Sequence, residues 1–284
     1  MSDDTPSGTP KDTHYATLRR AHRDRKRADG GAAPAGAQKR RPQPGRPAPA
    51  GRVRLYGIHT VAAALNNPHR KLHSLLVTRN ALARLEIAED AIRCPVEMVE
   101  PKRLDAELGG EAVHQGVMLE TEPLPAIRLS DLGKARLVIV LDQVTDPHNV
   151  GAILRSATAF GADALVTTAR HSPQESGVLA KAASGALEHV TQIEVVNLAD
   201  ALSALSKQGF RTIGLDSDGP ESFEASLSGE RIAIVLGAEG KGLRQKTQAT
   251  VDALARLEMP GAIRSLNVSN AAAIALYATR RHLG

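Results

Sequence analysis

The chain has 284 residues, 42% of them apolar, which is enough for a buried core and for about two domains at the usual size of roughly 150 residues each. Aromatic residues make up only 2%, with no tryptophan. The core must therefore be built of Ala, Leu, Val and Ile, and little is left with which to stack bases on a sheet. The single cysteine, Cys94, excludes an intramolecular disulfide framework and a cysteine-based zinc cluster and fits a reducing cytoplasm.

The net charge of +5 is unevenly placed. Residues 1–52 carry 12 Lys/Arg against 5 Asp/Glu, and the rest of the chain carries 24 against 26. The first 52 residues also contain 7 Pro and 6 Gly. So little apolar area cannot offset the entropy of ordering, and the segment reads as disordered. It is either a polycationic arm for phosphates or a solvated tail. No apolar run is long enough to span a bilayer, and the first residues lack the apolar region of a secretory signal.

Order is expected from Val53. Residues 53–122 read as a small α/β unit, with helices at 58–66, 80–90 and 101–108 and strands at 73–78, 95–99 and 115–121. Pro101 suits the first position of its helix. His69 and His73 stand four apart without a third ligand nearby, and with Arg70 and Lys71 they read as an exposed basic patch rather than a metal site. Residues 123–136 read as a linker.

Residues 137–284 alternate strand and helix. Strands are expected at 137–141, 164–168, 192–196, 211–215, 231–236 and 253–258, and helices at 149–160, 177–187, 198–208 and 268–282. The strands are short continuous apolar runs, as befits a mostly parallel sheet covered on both faces. The fold class is therefore α/β. Neither a GxxxxGK[ST] phosphate loop nor a GxGxxG fingerprint occurs, and GxSxG and HExxH are missing too.

Three loops carry a signal. The first runs from Leu141 through Asp-Gln-Val-Thr-Asp-Pro-His to Asn149, with Arg155 six residues on. Asn149 is either a plain helix cap or a site residue, and apolar neighbours of Arg155 argue against a merely solvated charge. The second, Gly237-Ala-Glu239-Gly-Lys-Gly242, ends a buried strand in a turn whose glycines permit close backbone approach. By itself it could be no more than a tight turn. The third, Leu257-Glu-Met-Pro-Gly-Ala-Ile-Arg-Ser265-Leu266-Asn267-Val-Ser269, leads into an Ala-rich helix that Asn267 or Ser269 could cap.

Jointly, in order and spacing, these three loops resemble the SpoU/TrmH class of SPOUT RNA methyltransferases over residues 137–284. Tyr56-Gly-Ile-His-Thr-Val and His114-Gln-Gly-Val-Met resemble the small RNA-binding domain of the branch that methylates a guanosine ribose 2′-OH in 23S ribosomal RNA. The resemblance implies a C-terminal domain with a deep trefoil knot that holds S-adenosylmethionine as methyl donor, without a metal. It places cofactor contacts at Gly237, Leu257 and Leu266 and catalytic or substrate-orienting roles at Asn149, Arg155, Glu239, Ser265 and Asn267. Glu239 would fix Arg155 or the adjacent loop amides. It also implies RNA as partner, a homodimer with the site near the subunit interface, and a cytoplasmic location. Where family members often carry a small apolar residue after Ser269, this chain has Asn270. A transfer-RNA ribose methyltransferase and a non-catalytic RNA-binding scaffold are the competing readings. The 53–122 unit argues against the first and the intact polar set against the second.

Overall fold

The computed structural model describes residues 45–263 and 265–284. Most of the stretch read as a disordered arm lies outside them. Its last eight residues, 45–52, lie against the small sheet, where Arg46 pairs with Glu107 and Arg52 with Glu120.

Two sheets organise the chain. The smaller is built from β1 (Val53–Tyr56), β2 (Leu72–Val77), β3 (Val96–Met98) and β4 (Val117–Thr121) in the order β1-β4-β2-β3. β4 runs antiparallel to both β1 and β2, and β2 is parallel to β3. Helices α1 (Ile58–Asn66), α2 (Arg79–Leu85) and α3 (Pro101–Leu108) connect these strands, and Pro101 opens α3 as expected. β1 is not legible from its four residues alone. It is held by the register Val53 to Thr121 through Tyr56 to Met118, so its partner lies more than 60 residues away. The helix expected over 80–90 stops at Leu85 because Glu86 turns left-handed at φ 53°.

The larger sheet has seven strands, and every pairing in it is parallel. They are β5 (Leu137–Asp142), β6 (Ala164–Thr168), β7 (Thr191–Val195), β8 (Arg211–Leu215), β9 (Glu221–Ser222), β10 (Ile232–Gly237) and β11 (Ala253–Arg256). Their order is β7-β6-β5-β10-β8-β11-β9. Every residue of β5 is buried, and so are the first five of β10, which explains their unbroken apolar runs. Six helices accompany the strands: α4 (Pro147–Ala159), α5 (Gly177–Ala183), α6 (Leu198–Lys207), the short α7 (Phe223–Ser226) and α8 (Gln245–Gln248), and α9 (Val268–Leu283). The helix expected over 177–187 is broken after Ala183, where Ser184 and Gly185 are left-handed at φ 52° and 94°. A single 3-10 turn, Ala186–Glu188, follows.

One apolar core runs through both sheets. Leu55, Ile58, Val61 and Leu75 from the small unit belong to the same buried cluster as Leu179, Ala183 and Leu187. Gly151 of α4 lets α5 approach backbone to backbone, since a Cβ there would lie 2.5 Å from the Ala182 Cβ. The exposed basic patch expected around Arg70 is corrected here. Arg70 is 2% exposed and bonded to Glu175 and Glu188, because those carboxylates arrive from more than 100 residues along the chain. Among the described residues, no group of three His, Cys, Asp or Glu side chains is placed to hold a metal, and no helix is long and apolar enough to cross a membrane.

Candidate active site

The order of the large sheet fixes where a ligand can bind. From β5 the chain steps outward to β6 and β7, then returns to place β10 and β8 on the other side of β5. In open parallel sheets the crevice at such a reversal, beyond the carboxyl ends of the strands, is the ligand site. The loops that leave β5, β10 and β11 at those ends are the three the sequence singles out.

The first loop is closed by Asp146, not Asn149. The Asp146 carboxylate accepts from the His148 amide at 2.9 Å and Pro147 occupies the first helical turn, so Asn149 is inside α4. Its side chain is thereby released from capping. It donates from Nδ2 to Glu239 Oε1 at 3.0 Å. In the third loop Asn267 does cap α9, with Oδ1 accepting from the Ser269 amide at 2.8 Å. That bond orients its amide so that Nδ2 points away from the helix, donating to Glu239 Oε1 at 2.5 Å and to Asn149 Oδ1 at 3.1 Å. Three loops are thus joined by two amides that converge on one carboxylate oxygen.

The second loop is anchored from beneath. Asp142, fully buried at the end of β5, accepts from the Arg244 amide at 3.0 Å, from Arg244 Nε at 2.6 Å and from Thr247 Oγ1 at 2.7 Å. Gly237 lies so close to Gly242 that a Cβ would overlap its carbonyl carbon. Any side chain there would push the loop open.

Above this floor lies a cavity of about 420 Å³ lined by Gly237, Glu239, Leu257, Ser265 and Leu266. Leu215, Asp216, Met259 and Ala271 are also part of the wall. The structure therefore gathers seven of the eight residues singled out into one site: five line the cavity, and Asn149 and Asn267 are bonded to Glu239. Arg155 stands apart. It is an exposed residue of α4, six residues past Asn149, or about 9 Å along the axis at the usual helical rise. It has no hydrogen bond to a described residue. Of the two roles expected for Glu239, fixing Arg155 or the adjacent loop amides, no bond to Arg155 is made, and the carboxylate accepts from the side-chain amides of Asn149 and Asn267.

Residues 136–277 match the family model described as SpoU rRNA Methylase family. The chain belongs to the SpoU rRNA methylase family. Residues 54–126 match a second model, RNA 2′-O ribose methyltransferase substrate binding. The 23S rRNA (guanosine-2′-O-)-methyltransferase RlmB of Pseudomonas putida is 37% identical over 238 residues, covering 79% of this chain and 94% of that protein. The enzyme of the same name from Vibrio vulnificus is 35% identical, covering 81% and 97%. Among solved structures, the SpoU methyltransferase AviRb from Streptomyces viridochromogenes in complex with AdoMet superposes with a TM-score of 0.68 at 23% identity, over 82% of this chain and 91% of that one. An AdoMet-bound rRNA methyltransferase from Sinorhizobium meliloti gives 0.69 at 22%, over 82% and 88%. These two likenesses speak for the fold.

In this SpoU chain, sequence reasoning missed Asp142, Asp216 and Met259. Asp142 and Asp216 share a signal that could have found them: each is a lone carboxylate at or just past the end of an apolar strand, facing the ligand edge of the sheet. Met259 carries no such mark, lying in a loop whose course depends on the strand order.

Proposed function

We propose that this chain transfers a methyl group from S-adenosylmethionine to the ribose 2′-OH of a guanosine in 23S ribosomal RNA. The observation that carries the reading is the joining of three loops through Asn149, Glu239 and Asn267 beside a cavity of ligand size. Small-molecule sites usually measure about 300–1,000 Å³ and are mostly apolar with a few placed polar groups. The residues fit the cofactor. Leu257, Met259 and Leu266 offer an apolar wall for an adenine, Gly237 brings its backbone to the edge, and the Asp216 carboxylate can accept from a ribose hydroxyl. When bound, S-adenosylmethionine supplies an electrophilic methyl on a sulfonium.

The chain's own residues then have two tasks. A ribose hydroxyl is a poor nucleophile while protonated, so it must be aligned and its proton must have somewhere to go. Asn149, Ser265 and Asn267 align substrate and loops, and Glu239 locks the two amides in place. Guanidinium groups as a class are poor free bases, so Arg155 is not assigned that role. Its exposed guanidinium instead holds an RNA phosphate, and that phosphate or a water takes the proton.

The same reading assigns residues 53–122 to RNA binding, 123–136 to a linker, 137–284 to catalysis and the basic residues of 1–52 to nonspecific phosphate contacts. It includes the trefoil knot, supported by the meeting of loops 237–243 and 257–267 at one cavity, and a cytoplasmic location beside the substrate. It also includes a homodimer. Ile274 and Tyr277, three apart on α9, are 44% and 51% exposed, an apolar strip that a second copy would cover.

Ribose-methylation mapping of ribosomal and transfer RNA, from cells with and without the gene, tests the proposal. Loss of one 23S guanosine mark, restored by wild type but not by Arg155→Ala, is the expected result. Loss of a transfer-RNA mark would overturn the substrate, and no lost mark would overturn the reaction.

A further inference from the structure

The two segments that resemble an RNA-binding domain are bonded to the rest of the molecule, although His59 and Gln115 keep exposed surface. Tyr56 packs its ring over Gly177 at the start of α5, where a Cβ would lie 2.5 Å from Cε1. Gly57, at φ 92°, makes room for Lys181, whose Nζ would be 2.6 Å from a Cβ there. Lys181 Nζ donates to Gln115 Oε1 at 2.6 Å, and the same oxygen accepts from the Ile58 amide at 3.1 Å. Gln115 reaches this position from a left-handed backbone at φ 58°, a conformation that costs energy and persists only where its surroundings hold it. The buried Thr60 hydroxyl donates to the Ala180 carbonyl at 3.1 Å. Burial lowers the pKa of the Lys181 ammonium below its ordinary value, as fits an amine held in a seam.

Behind this contact lies a buried ion cluster. The Arg70 side chain has no exposed surface, and Glu188 keeps 3% and Glu175 12% of theirs. Arg70 Nη2 meets Glu188 Oε1 at 2.5 Å, Nη1 bonds Glu175, and Nη1 also donates to the Glu122 carbonyl at 3.0 Å. The remaining carboxylate oxygens are met by Asn67 Nδ2 at 2.6 Å and the Leu124 amide at 2.9 Å. The small unit, the linker and the catalytic unit each contribute. Opening such a cluster strands desolvated charges.

We propose that Tyr56–Val61 and His114–Gly116, together with the Arg70 cluster, form an intramolecular latch that fixes the RNA-binding domain relative to the methyl-transfer centre, and that these segments do not touch RNA. Gln115, Lys181 and Arg70 are positioning residues. The latch stands on geometry alone; its consequence for the reaction rests on the methyltransferase reading.

The test uses the full chain and the rim variants Lys181→Met and Gln115→Ala, alone and combined, because Arg70→Ala, in the buried centre, could simply unfold. Arg70→Lys, which keeps the charge but loses the fork, is a second probe. Hydrogen exchange of the free protein reads the latch without reference to activity. Exchange in 58–66 and 177–183 should quicken by about tenfold in the double variant while the strands of the large sheet stay protected. With a 23S RNA fragment, KM should rise about tenfold with kcat held within about twofold, because preorganisation is lost and chemistry is not. The slope of log affinity against log salt should not change. A slope lower by about one in Lys181→Met would identify a phosphate contact and overturn the proposal, as would unchanged exchange. Quickened exchange in a protein whose wild type methylates no RNA would leave the latch standing and overturn the function instead.

Discussion

Asn267 and Glu239, 28 residues apart in the chain, are joined through one amide hydrogen and one carboxylate oxygen at 2.5 Å, while the other end of the same amide caps a helix. The side chain that starts α9 therefore also sets the position of the glycine-rich loop. Removing the charge without changing the shape isolates this role. Glu239→Gln should lower methyl transfer by about a hundredfold, the scale seen when a preorganised polar group is lost from a site. Because Glu239 is exposed, its melting temperature should move little, a surface change usually staying within about 0.5 kcal/mol. Single-turnover assay and thermal unfolding together check this.

Arg155→Ala should unfold at the wild-type temperature and bind cofactor with unchanged affinity by calorimetry, since the side chain has no hydrogen-bond partner among the described residues. Methylation should fall by at least about a hundredfold, the lower end of what a group assisting proton transfer supplies. Wild-type turnover would remove Arg155 from the reaction.

Gly237→Ala drives a Cβ into the Gly242 backbone. Neither neighbour is a flexible side-chain tip, so the backbone must move. Overpacking of this kind costs about 1–3 kcal/mol, and the displaced loop forms one wall of the cavity. Chemical denaturation should show the destabilisation, and titration calorimetry should show cofactor affinity lowered or abolished.

Arg244→Ala leaves the fully buried Asp142 carboxylate with the Arg244 amide and the Thr247 hydroxyl but no cation. The Arg244 side chain is 42% exposed, so the pair is worth less than a fully buried one. A destabilisation of about 1–3 kcal/mol is expected when the buried carboxylate loses this charged donor. Asp142→Asn in the Arg244→Ala background should recover part of it in a denaturant double-mutant cycle.

Deleting residues 1–44 removes ten Lys/Arg and five Asp/Glu. The salt dependence of RNA binding should flatten, by about 0.9 in slope for each duplex phosphate that is no longer neutralised, while cofactor affinity stays unchanged. An unaltered slope would assign the basic residues to something other than RNA.

Much of the fold can be read from local pattern. The runs at β5 and β10 are apolar throughout because helices cover both sheet faces, and that burial is visible in the residues themselves. What local pattern misses is decided elsewhere in the chain. Arg70 reads as exposed beside His69 and Lys71 because nothing near it announces Glu175 or Glu188. β1 and β9 are too short to carry a period, and strands across the sheet define them. Asn149 reads as a cap or a site residue, although Asp146-Pro147 is the stronger start signal. The three site loops can each be found, but their meeting depends on β10 lying between β5 and β8, which no local pattern encodes.

That insertion has a bearing on biosynthesis. β5, β6 and β7 leave the ribosome before β10, yet the edge of β5 that faces the site stays unpaired until residues 232–237 arrive, and the cavity wall is complete only once Ala271 has emerged. Such late, non-local closure makes folding slow relative to a chain of local contacts. A nascent or prematurely terminated chain would carry a half-sheet with an open edge and no donor pocket. On the proposed function, a product that stops short of Ala271 would lack part of the donor pocket's wall.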